Sequence, residues 1–251
     1  MIDRIFYTLA HRWLLFLNLL VAFYVGLPML APVLMNAGMT GPANIIYRAY
    51  SPMCHQLASR SFFLFGDQPA YPRAITGSNL TPIEAYMPGI PEFAEASPDP
   101  AQWGTFLMPA RAFRGNEQMG YKMALCERDI SIYLSILIGG LIYGVIRRRG
   151  PVRPLPFWLF LIVGLGPIAL DGFSQLFSQL FVGLGADSLM QLVPLRESSP
   201  LLRSLTGAIM GFSIVWLLYP RLDDQFTTTA DDIQRRLMAR EVADGALPAD
   251  N

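Results

Sequence analysis

The sequence predicts an all-α integral membrane protein, a helical bundle of about four transmembrane helices with short exofacial interfacial helices. Three observations carry this. Of 251 residues, 53% are hydrophobic and only 15% charged, against about 25% charged in an ordinary soluble domain. The apolar residues fall in long blocks rather than spread along the chain. None of the blocks alternates with period two, which argues against a β-barrel.

The first block, 13–35, is interrupted only by Asn18, Pro28 and Pro32. A bilayer core takes about 20 apolar residues. The block exceeds the roughly 7–15 residues of a signal-peptide core, so it is read as a retained span. The second block, 130–146, stops at Arg147, Arg148 and Arg149. The third, 155–170, meets an acid at Asp171, and the fourth, 201–219, ends at Pro220 and Arg221. Together they describe a single membrane domain. Segment 172–185 repeats Phe and Leu at helical spacing, with Ser174, Gln175, Ser178 and Gln179 opposite. Joined to the third span it would outrun a bilayer core, so a bend at Asp171 and Gly172 is expected, with the segment lying in the interface.

Cationic residues orient the spans. There are 18 Arg and one Lys. Arg147, Arg148, Arg149 and Arg153 lie between spans two and three, Arg4 and Arg12 before span one, and Arg221 after span four. With four spans these segments share one side, which the positive-inside rule makes cytoplasmic. The expected location is the cell membrane, with both termini cytoplasmic. The tail over 221–251 is expected to hold a short helix that starts with a capping box at Thr229 and Asp232 and stops at Gly245. The 66–118 stretch, rich in Pro and Gly, reads as an exofacial, loop-rich insertion. Tyr71, Tyr86, Phe93, Trp103 and Phe106 argue that part of it packs.

Formal net charge is zero, so nucleic acid has no electrostatic claim on the chain. The expected partners are the lipid bilayer and a larger membrane complex reached through the insertion. No phosphate loop, nucleotide fingerprint or catalytic triad is visible. No catalytic residue, cofactor or metal is assigned, and the balance leans away from an enzyme.

Four groups carry reactive or ionisable side chains, and all fall at the outer ends of spans. Ser51 and Pro52 are expected to start a short helix holding Cys54 and His55, followed by Gln56 and Arg60. Cys126, Asp129 and Tyr133 share a helix face, with Arg128 beside them. Asp171 and Gln175 form the third group, and Arg196, Glu197 and Arg203 the fourth. An acid at membrane depth is costly unless paired, so Arg128 or Arg203 is the expected partner of Asp171. A disulfide between Cys54 and Cys126 suits an oxidising side. Redox-active thiols, or a metal held by Cys54, His55, Cys126 and Asp129, are the alternatives, the last weakened by the adjacency of Cys54 and His55.

These blocks resemble a family of prokaryotic polytopic membrane proteins, domain of unknown function 2085. The resemblance rests on Cys54-His55-Gln56 with Arg60-Ser61, Cys126-Glu127-Arg128-Asp129, Asp171-Gly172 with Gln175, and Arg196-Glu197-Ser198 with Arg203 and Thr206-Gly207. The 67–118 stretch and part of 176–194 look like insertions relative to it. The resemblance implies a small helical membrane protein and no particular activity. Two function classes therefore remain. One is a non-enzymatic accessory or assembly component of a larger membrane complex. The other is a redox or transport protein using the Cys/His/Arg/Asp cluster. A deep polar pocket would favour the second, and a flat apolar insertion the first.

Overall fold

A computed structural model describes residues 2–185 and 191–243. The helices are α1 (Ile2–His11), α2 (Trp13–Asn36), α3 (Thr40–Tyr50), α4 (Trp103–Ala112), α5 (Glu127–Ile146), α6 (Phe157–Gly183) and α7 (Pro200–Ala243). Helices α2, α5, α6 and α7 are each long and apolar enough to cross a bilayer. They form an all-α membrane bundle in which α7 packs chiefly on α5 and α2 packs on α5.

Two small-residue pairs set these contacts. A Cβ on Gly211 of α7 would stand 2.4 Å from the Ile132 carbonyl oxygen of α5, and one on Gly207 2.7 Å from that of Arg128. Across the bundle, Gly140 of α5 faces the Asn18 amide of α2, with Gly144 against Leu14. Close backbone approach of this kind is how membrane helices gain packing without a hydrophobic drive. Gly211→Leu is expected to lower the melting temperature in detergent clearly, because overpacking costs about 1–3 kcal/mol. Gly144→Ala, which meets only the end of a leucine at 3.2 Å, should change it little.

Pro28 and Pro32 stand inside α2 and Pro220 inside α7, and each leaves a carbonyl four residues earlier without its helical donor. Each of these carbonyls is taken by a group from elsewhere in the fold. Pro28 frees the Tyr24 carbonyl, which accepts from the Tyr50 hydroxyl at 2.7 Å. Pro32 frees that of Pro28, which accepts from the Ala124 N–H at 3.2 Å. Pro220 frees that of Trp216, which accepts from the Leu155 N–H at 2.8 Å. The prolines thus dock α3, the 123–125 segment and the 150–156 linker onto the bundle.

Two expected breaks are absent. Helix α7 continues through Pro220 to Ala243, so the tail is not a separate helix started at Thr229. The Thr229 hydroxyl instead donates to the Gln225 carbonyl at 2.8 Å. The continuation is held by α1, through the Arg240–Asp3 ion pair and Tyr7–Gln234 at 3.5 Å. The Gly245 stop lies outside the described residues. Helix α6 likewise runs unbroken through Asp171 and Gly172; its irregularity is a π-helical stretch at Phe160–Leu165. Its 27 residues span about 40 Å, so its end projects beyond a core of about 30 Å. Here Gln175 and Ser178 are buried in the bundle, while Phe173 and Phe177 point outward and stack at 6.1 Å. The helix keeps its polar face inward, where partners exist, and needs no bend.

At the α1 end, Asp223 gathers the ends of three spans. It accepts from Trp13 Nε1 and the Tyr143 hydroxyl, each at 3.1 Å, and pairs with Arg147 at 2.5 Å. Trp13, Tyr143 and Tyr219 pack around it, with ring centroids 5.5–6.5 Å apart.

Residues 66–118 are folded, as short 3₁₀ turns followed by α4. Tyr71, Ile83, Phe93, Phe106 and Phe113 of this stretch form a core with Leu57 and Phe63, which precede it. Arg73 is buried in it, paired with Glu84 at 2.5 Å, donating to the Pro98 carbonyl and lying over the Phe106 ring. The fold adds three short antiparallel strands in the order β1 (Phe63–Leu64), β3 (Gly120–Lys122), β2 (Gly115–Asn116). Gly120, at φ +70°, lets β3 approach the Leu64 carbonyl, which a Cβ would meet at 2.1 Å.

Candidate functional site

Strand β3 leads directly to Cys126, which adopts extended backbone and caps the start of α5. Cys54 arrives by a different route. Helix α3 ends at Tyr50, residues 51–53 form turns, and Cys54 to Leu57 have no regular structure. The helix expected from Ser51 and Pro52 does not form, because Ser51 sits at the C-cap of α3 and accepts from Arg111 at 2.6 Å. Gln56 fixes the segment. Its φ of +52° is unusual for a residue with a side chain. Its side-chain amide donates to the Tyr47 and Ala124 carbonyls, both at 2.9 Å. Gln56 therefore bolts the Cys54 segment to the short link between β3 and α5 that carries Cys126.

Beneath them lies Lys122, fully buried. Its Nζ donates to the carbonyls of Gln56 at 2.6 Å, Arg111 at 2.8 Å and Ala110 at 3.2 Å. Burial pushes the ammonium down to about 7, and neighbouring Arg114 and Arg111 act in the same direction.

The sulfurs of Cys54 and Cys126 and a carboxylate oxygen of Asp129 lie within 4.8 Å of one another. The cysteines are free thiols, so the expected disulfide is not formed. A hydrogen bond between the thiols holds Cys54 below its ordinary value and, with burial, pushes Cys126 well above its own. His55 is exposed at the rim.

Two buried charge clusters support this face. Asp171 is paired with Arg128 and with Arg196 at 3.1 Å, and accepts from the Ser198 hydroxyl and from Gln175 at 3.3 Å. Arg128 is thus the partner that span depth demanded. Arg203 is not: it binds Glu127 at 3.3 Å, Glu197 at 2.9 Å and the Ser59 carbonyl at 3.2 Å. Arg60 shares Glu197 at 2.9 Å and lies over the Trp103 ring at 4.7 Å.

Together these groups enclose a cavity of about 410 Å³. Its lining includes Cys54, His55, Gln56, Arg60, Cys126, Arg128, Asp129, Gln175 and Arg203 from the expected set. Asp171 and Glu197 stand behind the lining and hold its arginines, and Arg196 binds Asp171 from the other side. Tyr133 packs on Tyr24, with centroids 4.5 Å apart, and borders a separate recess. Sequence reasoning left out Glu127 and Ser198, although both stand inside the motif blocks, and Lys122, whose status as the single lysine was the available signal. A larger groove of about 760 Å³ runs between α1 and α7, but it is more open and contains none of the candidate residues.

Four bundled apolar helices with buried ion pairs at one end define a multi-pass helical membrane protein. Residues 108–217 match the family described as "Predicted membrane protein (DUF2085)", which bears out the resemblance of the motif blocks. That region holds Cys126, Asp171, Arg196 and Arg203; the Cys54 block lies before it. The chain is also similar to "Uncharacterized protein MJ1492" of Methanocaldococcus jannaschii, 27% identical over 175 residues, covering 70% of this chain and 67% of that one. No solved structure matches.

Proposed function

We propose that this is a cell-membrane protein that works by binding a small ion or ligand in the cavity at the Cys54 end of the bundle, in the transport or redox class rather than as an assembly factor. The supporting observation is the convergence of four chain segments, through Arg60, Arg128, Gln175 and Arg203, on one cavity backed by buried ion pairs. Charged groups are costly at membrane depth and mark functional sites when they face an internal cavity. The folded insertion buries its aromatics rather than presenting them as a flat apolar face, which weakens the assembly reading.

The arginine-rich ends of α1, α5 and α7 lie at the opposite end from the cavity, so the positive-inside rule puts the termini in the cytoplasm and the cavity outside. A single cysteine at Arg149, in a chain with both native cysteines replaced by serine, should resist a membrane-impermeant maleimide in intact cells. Labelling from outside would reverse the topology.

Gly172 borders the cavity, and an added Cβ would meet only Arg128 at 3.6 Å. Gly172→Leu should fill the space while preserving α6. In detergent, zinc, inorganic phosphate or acetate should raise the melting temperature of the parent, since a ligand at a hundred times its Kd stabilises by about 2.7 kcal/mol. Gly172→Leu should lose that response. No response to any of them in the parent, or an undiminished response in Gly172→Leu, would contradict the reading.

A further inference from the structure

We propose that Cys54, Cys126 and Asp129 form a site for a thiophilic divalent cation of the zinc type, with a fourth coordination position open to the cavity. This rests on the cavity reading and names its ligand class.

Geometry is the first support. A tetrahedral zinc ion with bonds of about 2.0–2.3 Å places its ligand atoms roughly 3.5–3.8 Å apart. The two sulfurs and the carboxylate oxygen already lie within 4.8 Å of one another, so small side-chain rotations close the site. Helix phase accounts for two of the ligands: Cys126 is the N-cap of α5 and Asp129 lies one turn on. The third is delivered by Gln56, whose two amide hydrogen bonds hold the Cys54 segment against Ala124.

Charge is the second, independent support. The buried carboxylates at this end each hold an arginine: Asp171 has Arg128 and Arg196, Glu127 has Arg203, and Glu197 has Arg60 and Arg203. Among the described residues, the Asp129 carboxylate has no cationic partner. It faces the two sulfurs instead. On binding, each thiol gives up its proton to solvent, leaving two thiolates and a carboxylate. With a divalent ion the assembly carries one net negative charge, which the cavity arginines offset.

Chemistry selects the ion. Thiolates favour soft or borderline metals, whereas calcium and magnesium call for oxygen ligands alone. Three protein ligands leave one position for water or a small molecule, the pattern of an open rather than a purely structural zinc site. His55 stands at the rim, beside Cys54 but outside the triangle; His11, exposed on α1 and away from the cavity, gives the control His11→Ala.

The test uses the full chain in detergent, loaded with zinc alone and dialysed. About one zinc per chain is expected in the parent and in His11→Ala. Cys54→Ser and Cys126→Ser should lose the bound zinc, and Asp129→Asn should bind at least tenfold more weakly. If a cysteine variant fails to fold, alkylation of the unaltered chain decides: zinc should slow modification of both thiols together. Equal zinc in all variants, or alkylation indifferent to zinc, would overturn the metal site. Stabilisation by phosphate or acetate without zinc binding would refute the metal and leave the cavity reading standing. Silence from all three probes would remove both.

Discussion

Replacing Arg203 with methionine is expected to destabilise the protein by about 3–5 kcal/mol, the range for removing one partner of a buried ion pair. Arg203 is 3% exposed and neutralises both Glu127 and Glu197. Methionine keeps the apolar stem but leaves the Glu127 carboxylate buried without its cation. Glu197 retains Arg60, so Glu127 is the acid left exposed to the penalty. Adding Glu127→Gln to Arg203→Met should therefore recover part of the loss. Thermal melts of the two single variants and the double variant measure this, with a coupling of about 0.5–3 kcal/mol expected. Strict additivity would mean that the pair does not interact in the native protein.

Lys122→Ala should be comparably damaging. It strips the donor from three buried carbonyls, each of which costs about 1–3 kcal/mol when left unpaired, and opens a void between the sheet and α4. The effect of pH has a definite sign. The native ammonium is held at about 7 by burial, below the ordinary 10.5. Between those values the unfolded chain binds a proton that the native chain has released, so native stability rises with pH across that window. Lys122→Met has no such group. The stability difference of the parent relative to Lys122→Met should therefore move in the parent's favour from pH 7 to pH 9, by up to about 2.7 kcal/mol. A difference independent of pH would show that Lys122 keeps its charge throughout.

The bundle was legible because membrane helices announce themselves locally. A long apolar run needs no knowledge of its neighbours, and an acid at the depth of Asp171 demands a cation wherever the chain supplies one. The choice of Arg128 over Arg203 was not legible, since it depends on Glu127, an acid hidden beside Arg128 in the same motif block. The unbroken course of α6 was not legible for a related reason. The pattern over 172–185 gives one polar and one apolar face, but not that Gln175 and Ser178 would find Asp171, Ser198 and Arg196 inside the bundle. The break expected at Pro220 failed because the carbonyl it frees is satisfied by Leu155, sixty residues away in sequence. The core of the insertion was foreshadowed only by its aromatics. Its strands are two or three residues long and are fixed by register with each other, which no short window records. The approach of Cys54 to Cys126 depends on Gln56 in an unusual backbone conformation, a constraint set by Tyr47 and Ala124 rather than by the local sequence.

Two distant segments bring Cys54 and Cys126 together at the wall of one cavity. These are the two cysteines of the chain, so a short bifunctional thiol reagent reports directly on their separation. With folded protein in detergent, intramolecular bridging is expected: one reagent per chain, both thiols consumed, and no covalent dimer. Bridging should disappear on denaturation and in Cys54→Ser. Two reagents attached singly to each folded chain, or covalent dimers in place of an internal bridge, would show that the cysteines stand apart and share no site.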